Sequence, residues 1–206
     1  MYNKLKGIYA ITDNILTPND TILTQVEQAL EGGAKIIQLR DKQNSDEQIE
    51  KFSIMLQELC NKYNALFVLN DRVDIAIKLN LDGLHIGKDD YEDLGKIREK
   101  FKGIIGVSCY GNLDSAAKAQ KLGADYVAFG ACFSSPTKPN APTINLNIIK
   151  QAKEILDIPV CVIGGINRSN IDTIMTYKPD MVAIISDIWN ADDIKERAKF
   201  FSNLLK

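Results

Sequence analysis

The chain is poor in the residues from which many catalytic and metal centres are built. Its 206 residues include one histidine, one tryptophan and four cysteines. The cysteines lie far apart and form no CxxC pair, which excludes the usual zinc-ligand spacings. A disulfide framework is not expected in a domain of this length. We therefore interpret the thiols as small apolar residues and expect a cytoplasmic protein; they are Cys60, Cys109, Cys132 and Cys161.

An excess of one charge and long apolar runs are also missing. The chain has 25 basic and 27 acidic residues, a net charge of −2, and no basic stripe, so nucleic acid is not an expected partner. No apolar run approaches the roughly 20 residues of a membrane-spanning helix. Residues 1–13 lack the apolar core and cleavage site of a signal peptide. A membrane partner is therefore not expected either.

Short apolar runs that alternate with amphipathic segments are plentiful. Strands are predicted over residues 7–12, 36–39, 66–69, 83–86, 103–108, 126–129, 159–163 and 181–185. Helices are predicted over residues 18–30, 45–63, 91–101, 113–122, 144–156, 169–177 and 191–205, and a short one joins the third and fourth strands. The strands are continuous apolar runs, which is typical of a parallel sheet covered on both faces.

Eight strand–helix units predict an α/β protein that is a single (β/α)8 TIM barrel over residues 1–206. An open doubly wound sheet is the alternative. It is less favoured because no GxGxxG motif follows the first strand. In a barrel the working residues lie on the loops after the strands, so polar residues at those positions are the candidates for a site.

Two aspartates follow neighbouring predicted strands, Asp71 after the third and Asp90 after the fourth. Parallel pairing places both strand ends on one rim. Adjacent carboxylates repel each other unless a cation lies between them, and oxygen ligands favour Mg²⁺ shared with a substrate phosphate. The pattern predicts a Mg²⁺ site at Asp71 and Asp90; a pair of solvated loop aspartates is the alternative.

Three cationic residues, Arg40, Lys42 and Lys138, also follow predicted strands. Arginine grips phosphate oxygens in a bidentate way and lysine supplies point charge. Beside a metal ion these groups suit a diphosphate, whose charge grows as its bond to the substrate breaks. For each of these residues taken alone, the alternative to phosphate binding is a charged side chain exposed to solvent.

Two further subsites are predicted. Gly164-Gly165 and Ser186 follow the seventh and eighth strands, where barrels commonly bind a monophosphate on backbone N–H groups. Neutral side chains at the rim suit a flat polar ring, and these are Gln38, Asn70 and Ser108. The only histidine, His85, has apolar neighbours, so we interpret it as a core histidine with satisfied hydrogen bonds and assign it no catalytic role. No nucleophile–base pair stands out.

Seven motifs in this order carry a family resemblance: IQLRDK, VLNDR, DGLHIGKDD, GVSCY, FGACFSSPTKPNAP, VIGGI and AIIS. Together they resemble the thiamine-phosphate synthase family, also called thiamine-phosphate pyrophosphorylase. The resemblance implies a (β/α)8-barrel transferase that joins hydroxymethylpyrimidine diphosphate to hydroxyethylthiazole phosphate. Diphosphate would leave with the help of Mg²⁺, through a carbocation-like pyrimidine that the thiazole nitrogen captures. The expected partners are these two small molecules, and a homodimer is left open.

The resemblance also implies roles for individual residues. The pyrimidine diphosphate would contact Gln38, Leu39, Arg40, Asp41, Lys42, Asn70, Ser108 and Lys138. The thiazole phosphate would contact Ser135, Pro136, Thr137, Gly165, Ile185 and Ser186. Mg²⁺ would bind to Asp71 and Asp90, and the catalytic candidates are Lys138, Ser108 and Arg40.

The chain departs from the family pattern at four places. Tyr110 stands where many members have histidine, Lys88 where many have glutamine, Ser135 where many have threonine, and Ala131 where proline is frequent. A thiazole tautomerase, which lacks the metal carboxylates and uses that histidine, is the nearest alternative. A regulator that binds phosphate ligands without catalysis, and a sugar-phosphate isomerase, are the others. The long loop 130–143 is predicted to order over bound substrate.

Overall fold

A computed structural model of the chain describes residues 4–87, 91–134 and 142–205. Eight parallel strands close a barrel in chain order, and β8 pairs with β1. The strands are β1 (Gly7–Ile11), β2 (Ile36–Leu39), β3 (Leu66–Asn70), β4 (Gly83–Ile86), β5 (Ile104–Tyr110), β6 (Tyr126–Phe129), β7 (Val160–Ile163) and β8 (Met181–Ile184). The predicted (β/α)8 barrel is confirmed.

Helices follow the strands and cover the outside of the barrel. In the described ranges they are α1 (Ile22–Glu31), α2 (Asp46–Lys62), α3 (Val73–Lys78), α4 (Leu94–Lys100), α5 (Leu113–Lys121), α6 (Asn147–Ile155), α7 (Ile171–Met175), α8 (Ser186–Trp189) and α9 (Ile194–Leu204). None of the helices within these ranges is both long enough and apolar enough to cross a membrane.

Local sequence signals explain several helix ends. Ser45 caps α2 by accepting a hydrogen bond from the N–H of Gln48, which is one half of a capping box. Gly32 is the C-cap of α1. By contrast, α6 begins at Asn147 rather than at residue 144, because the N–H of Ile144 donates to the carbonyl of Ala131 and belongs to the preceding loop.

The strands separate two apolar layers, because alternate side chains point to opposite faces. Outward-facing residues join the helices in one continuous core. Inward-facing residues form a second cluster that fills the barrel, including Tyr9, Leu66, Ile104, Tyr126 and Met181. The strands therefore bury both faces, which is why they are continuous apolar runs in the sequence.

Two differences from the prediction lie at the rim where the strands end. β5 runs on to Tyr110 through an irregular register after Ser108, and Tyr110 has a φ of +53°. After β8 the short helix α8 begins at Ser186, where the sequence was expected to continue as a loop. Four residues are too few to show helical periodicity, so the pattern could not reveal α8.

Gly106 makes room for the ring of Tyr126 inside the barrel. The two residues are partners in the β5–β6 register, and a Cβ on Gly106 would overlap the phenol of Tyr126. We expect Gly106→Ala to lower the free energy of unfolding by about 1–3 kcal/mol, the usual cost of overpacking. Urea unfolding at neutral pH measures this change.

Gly95→Ala is the matched control. A Cβ on Gly95 would lie 3.9 Å from Leu122 Cδ2, an ordinary contact, and Gly95 is inside α4. This substitution should raise the free energy of unfolding by up to about 1 kcal/mol, because alanine favours a helix more than glycine does. Equal effects of the two substitutions would contradict the packing of Tyr126 against Gly106.

Candidate active site

The carboxyl ends of the strands surround a cavity of about 1330 Å³. Polar and glycine residues from most of the strand ends line it. Of the residues predicted for the site, those that line the cavity are Gln38, Arg40, Lys42, Asn70, Asp71, Ser108, Gly164, Gly165, Ile185 and Ser186. The structure thus brings together residues that are up to 148 positions apart, because the barrel closes between β1 and β8.

Some predicted site residues are not part of the cavity wall. Leu39 is buried in the apolar layer between the barrel and the helices. Asp41 is buried too, and its carboxylate accepts hydrogen bonds from backbone N–H groups of its own loop. Five predicted site residues lie outside the described residues, so their predicted roles stay predictions: Asp90, Ser135, Pro136, Thr137 and Lys138. Lys88, which departs from the family pattern, lies outside them too. The predicted closure of the loop 130–143 likewise falls largely outside them.

The loop after β2 is organised by Asp41. Its carboxylate accepts hydrogen bonds from the N–H groups of Gln43 at 2.8 Å and Asn44 at 3.0 Å, and from the side-chain amide of Asn44 at 2.6 Å. Burial raises the pKa of Asp41, but these hydrogen bonds outweigh burial, so its pKa lies below the ordinary value. The flanking residues Arg40 and Lys42 are thereby held at the rim.

Arg40 and Lys42 are the cationic side chains of the β2 end. The N–H of Arg40 donates to Thr12 Oγ1 at 3.0 Å, which ties the end of β2 to the residue after β1. Arg40 is half-buried and Lys42 is exposed, and both line the cavity. An anion at this side of the cavity would meet one guanidinium group and one ammonium group.

Asp71 is placed at the end of β3 by an unusual backbone conformation. Its φ is +63°, and its N–H donates to the carbonyl of His85 on β4 at 2.9 Å. Aspartate tolerates this left-handed conformation better than most residues. Oδ1 of Asp71 lies 3.8 Å from the position that a Cβ on Gly87 would occupy. The carboxylate therefore faces Gly87, which directly follows β4 and precedes Asp90 by three residues.

One carboxylate of the predicted metal pair is thus available at the rim. Residues 4–87, 91–134 and 142–205 contain no group of three or more potential metal ligands of the His, Cys, Asp or Glu types. An oxygen-only site that shares ligands with a substrate phosphate needs fewer protein ligands than such a group. The half-buried carboxylate of Asp71 is of the right chemical type for a hard cation.

The ends of β7 and β8 carry the residues predicted to bind a monophosphate, and these residues line the cavity. Gly165 has a φ of +64°, and a Cβ there would lie 2.6 Å from the carbonyl oxygens of Phe133 and Ser134. Only glycine fits this close approach of two backbone segments. Ser186 is the first residue of α8, so its N–H has no acceptor within the helix.

The helix α8 is fixed by contacts on both sides. The indole N–H of Trp189 donates to the carbonyl of Ile11 at 2.6 Å. Arg197 donates to the carbonyl and the carboxylate of Asp187, at 2.7 Å and 2.6 Å. These contacts attach the start of α8 to β1 and to α9, so the position of Ser186 at the rim is well defined.

Five neutral side chains form a hydrogen-bonded polar network across the barrel interior. Gln38 Nε2 lies 2.6 Å from Tyr9 Oη, which lies 2.7 Å from Tyr126 Oη. Tyr126 Oη lies 2.9 Å from His85 Nδ1, and His85 Nε2 lies 2.9 Å from Ser108 Oγ. The polar network therefore connects Gln38 and Ser108, two of the three residues predicted from the sequence to orient a polar ring.

The interpretation of His85 as a buried histidine with satisfied hydrogen bonds is confirmed, since both ring nitrogens have partners. Burial lowers its pKa to about 4, so the imidazole is neutral near pH 7. Burial also raises the pKa of Tyr9 and of Tyr126, so both phenols keep their protons. The floor of the cavity is uncharged in the described residues.

Tyr9, His85 and Tyr126 line or support the site, and sequence reasoning did not place any of them there. Each lies in an apolar run, where tyrosine reads as one more large core residue. A usable signal exists for Tyr9: it lies two residues before Ile11 on β1, so both side chains point into the barrel, and both line the cavity.

The closed barrel with polar groups converging on its carboxyl-terminal rim defines an enzyme of the (β/α)8-barrel class. The thiamine monophosphate synthase family matches residues 8–188. A thiamine-phosphate synthase of Wolinella succinogenes is 44% identical over 95% of this chain and 92% of its own length. One of Alcanivorax borkumensis is 42% identical over 93% of this chain and 88% of its own.

A solved structure supports the same relationship. A thiamine phosphate pyrophosphorylase from Pyrococcus furiosus is similar with a TM-score of 0.87 and 35% sequence identity, over 98% of this chain and 96% of its own. The chain therefore belongs to the thiamine monophosphate synthase family, and it is accordingly a transferase. The resemblance found in its motifs is confirmed.

The role of Asp41 in its loop predicts a pH-dependent loss of stability. Because the folded pKa is depressed, the stabilisation is complete above the unfolded value of 3.8 and is lost as the pH falls through the folded value. Asp41→Asn should lower the free energy of unfolding by about 1–3 kcal/mol at neutral pH. Urea unfolding of both proteins between neutral and acidic pH measures the difference.

Asp20→Asn, at an exposed carboxyl in a neighbouring loop, is the control and should change stability little at any pH. The gap between wild type and Asp41→Asn should narrow below pH 3.8. A gap that stayed constant down to the acid transition would show that the charge of Asp41 does not hold the loop.

Proposed function

We propose that this chain catalyses the Mg²⁺-dependent condensation of hydroxymethylpyrimidine diphosphate with hydroxyethylthiazole phosphate, which yields thiamine phosphate and diphosphate. The observation that carries the proposal is that three kinds of group converge on one cavity. These are the cations after β2, the carboxylate of Asp71 and the neutral polar network. The relatives in this family bear the name of the same reaction.

The pyrimidine ring would lie over the polar network. Gln38 and Ser108 stand at its two ends, and Asn70 lines the cavity beside them. A flat ring with several nitrogen atoms needs both donors and acceptors at fixed positions, and amide and hydroxyl groups supply both. Because these groups are neutral, they orient the ring without opposing or trapping the positive charge that develops on it.

The diphosphate would lie at the rim beside Arg40 and Lys42, with Lys138 as a third cation supplied by the loop after β6. Asp71 and Asp90 would hold Mg²⁺, which supplies positive charge to the diphosphate oxygens when it is bound. The orientation of Asp71 toward the end of β4 supports this pairing. The phosphate of the thiazole would bind at Gly165 and Ser186, with Ser135, Pro136, Thr137 and Ile185 beside it.

The reaction exchanges one bond for another. The bond between the exocyclic carbon of the pyrimidine and the diphosphate oxygen breaks, and its electron pair leaves with the diphosphate. The thiazole nitrogen then gives its lone pair to that carbon, which forms the new carbon–nitrogen bond. Arg40 stabilises the growing negative charge of the leaving group, so its contribution is larger in the transition state than in the ground state.

We extend the proposal to the setting of the enzyme. The whole chain, residues 1–206, would form one catalytic domain, since the barrel is built from strands across its length. Four free cysteines, all buried, support a reducing compartment such as the cytoplasm. A homodimer stays a prediction.

The test is diphosphate release by the purified chain. Release should require both substrates and Mg²⁺, and EDTA should abolish it. Asp71→Asn should reduce turnover at least about 100-fold, because the loss of one transition-state charge contact typically costs that much. Its fold should survive, since Asp71 lies at the rim.

Asp74→Asn is the matched control, because Asp74 is exposed, three residues further on, in the first turn of α3. It should keep nearly normal turnover and the same Mg²⁺ requirement. If Asp71→Asn turned over like Asp74→Asn, the metal assignment would be wrong. If wild type released no diphosphate with both substrates present, the proposed reaction would be wrong.

A further inference from the structure

The geometry points to a directional role for the polar network that connects Gln38 to Ser108. We propose that each group of the network donates its hydrogen to the next one, starting at Gln38 and ending at Ser108, and that this order holds His85 as the Nε2–H tautomer. Ser108 then keeps its hydroxyl hydrogen for donation to the substrate. Tyr9, Tyr126 and His85 are positioning residues in this account, and the identity of the substrate rests on the function proposed above.

The direction is set at the Gln38 end. The atom of Gln38 that approaches Tyr9 Oη is the amide nitrogen Nε2, at 2.6 Å, and an amide nitrogen can only donate. Tyr9 Oη therefore accepts at this contact. Its own hydrogen has to point elsewhere, and its other partner is Tyr126 Oη at 2.7 Å.

The hydrogen bonds of the two tyrosines follow the same donor-to-acceptor order. A phenol has one hydrogen to donate, so a Tyr126 hydroxyl that accepts from Tyr9 donates its hydrogen to His85 Nδ1, at 2.9 Å. The reverse order would leave Tyr9 with two donors pointing at it and no acceptor for its own hydrogen. Both phenols are almost fully buried, where an unpaired hydroxyl is costly.

The imidazole then has one tautomer available. A neutral imidazole carries a single N–H. If Nδ1 accepts from Tyr126, the hydrogen is on Nε2, which lies 2.9 Å from Ser108 Oγ. His85 is stacked against the ring of Tyr126, with centroids 5.7 Å apart, so the imidazole is held in the orientation that both contacts need.

Ser108 accepts the last hydrogen bond of the line and keeps one hydrogen to donate. Within the described residues His85 is the hydrogen-bond partner of its hydroxyl, and Ser108 lines the cavity. A substrate acceptor, such as an unprotonated ring nitrogen, can take this hydrogen. A ring that presents an N–H group at the same place could use only the second lone pair of the hydroxyl and would leave its hydrogen without that acceptor, so we expect it to bind more weakly.

Two residues of the barrel, Tyr126 and Gly106, maintain this arrangement. Tyr126 places a polar hydroxyl inside a barrel that apolar side chains could fill, and Gly106 on the paired strand leaves space for its ring. The hydroxyl of Tyr126 is not needed for packing, because a phenylalanine ring would fill almost the same volume and would need the same space beside Gly106. We therefore assign the hydroxyl to the arrangement of polar groups beneath the cavity.

The first experiment is ¹⁵N NMR of histidine-labelled, substrate-free protein near neutral pH. The chain has one histidine, so every signal reports on His85. The expected result is a protonated, pyrrole-type Nε2 and an unprotonated, pyridine-type Nδ1. A protonated Nδ1, a mixture of tautomers or a doubly protonated ring would overturn the proposal. This measurement needs no turnover, so it stands apart from the proposed reaction.

The second experiment uses Tyr126→Phe, which removes the central hydroxyl and keeps the ring. The Nε2–H tautomer should lose its preference, and Ser108 should become free to donate to His85. The KM for the pyrimidine diphosphate should then rise about tenfold, the effect of one neutral hydrogen bond, with the KM for the thiazole phosphate unchanged. Thermal unfolding shows whether the variant is folded.

Tyr63→Phe is the matched control, since it removes a phenol that hydrogen-bonds Glu27 on the outside of the barrel. It should leave both KM values and the His85 signals unchanged. Tyr9→Phe is the second network variant, should Tyr126→Phe not fold. Wild-type KM values in a folded network variant, or an equal rise for both substrates, would reduce the network to a structural role and overturn the proposal.

Discussion

The pairing of β1 with β8 is the constraint on which the site depends. It joins residues 7–10 to residues 181–184 in register and turns a sheet into a closed barrel. Because all eight strands are parallel, closure gathers every carboxyl end at one rim. Trp189 strengthens the seam where the chain ends meet, through its hydrogen bond to Ile11. Without closure, the end of β2 and the start of α8 would lie at opposite edges of an open sheet.

Inside the barrel, apolar and polar side chains have different roles. Apolar side chains such as Leu66, Ile104 and Met181 fill part of the interior and supply the burial that stabilises the fold. The polar network crosses the interior beneath the cavity, and each of its buried members has a partner. A satisfied network of this kind is rigid, so it would give the proposed substrate ring a fixed surface to lie on. Charged groups stay at the rim, where the diphosphate would lie.

The fold and many of the residues that line the cavity could be predicted from the sequence, because strand patterns and rim positions follow from local residue order. Ser108 directly follows an apolar run, and Asp71 follows one after Asn70. Other features depend on contacts that local order does not contain. The four-residue helix at Ser186 is too short for periodicity, and Tyr126 reads as one more apolar core residue. Asp41 sits within a family motif, yet its carboxylate turns back to bind the N–H groups of its own loop.

The central claim is that one cavity binds the pyrimidine diphosphate and the thiazole phosphate together and joins them. The identity of the product tests this claim most directly. Mass spectrometry of a reaction with both substrates and Mg²⁺ should detect thiamine phosphate, formed in a one-to-one ratio with diphosphate. Diphosphate formed without thiamine phosphate, and to the same extent without the thiazole phosphate, would contradict the account. The cavity would then serve hydrolysis of one substrate and not the joining of two.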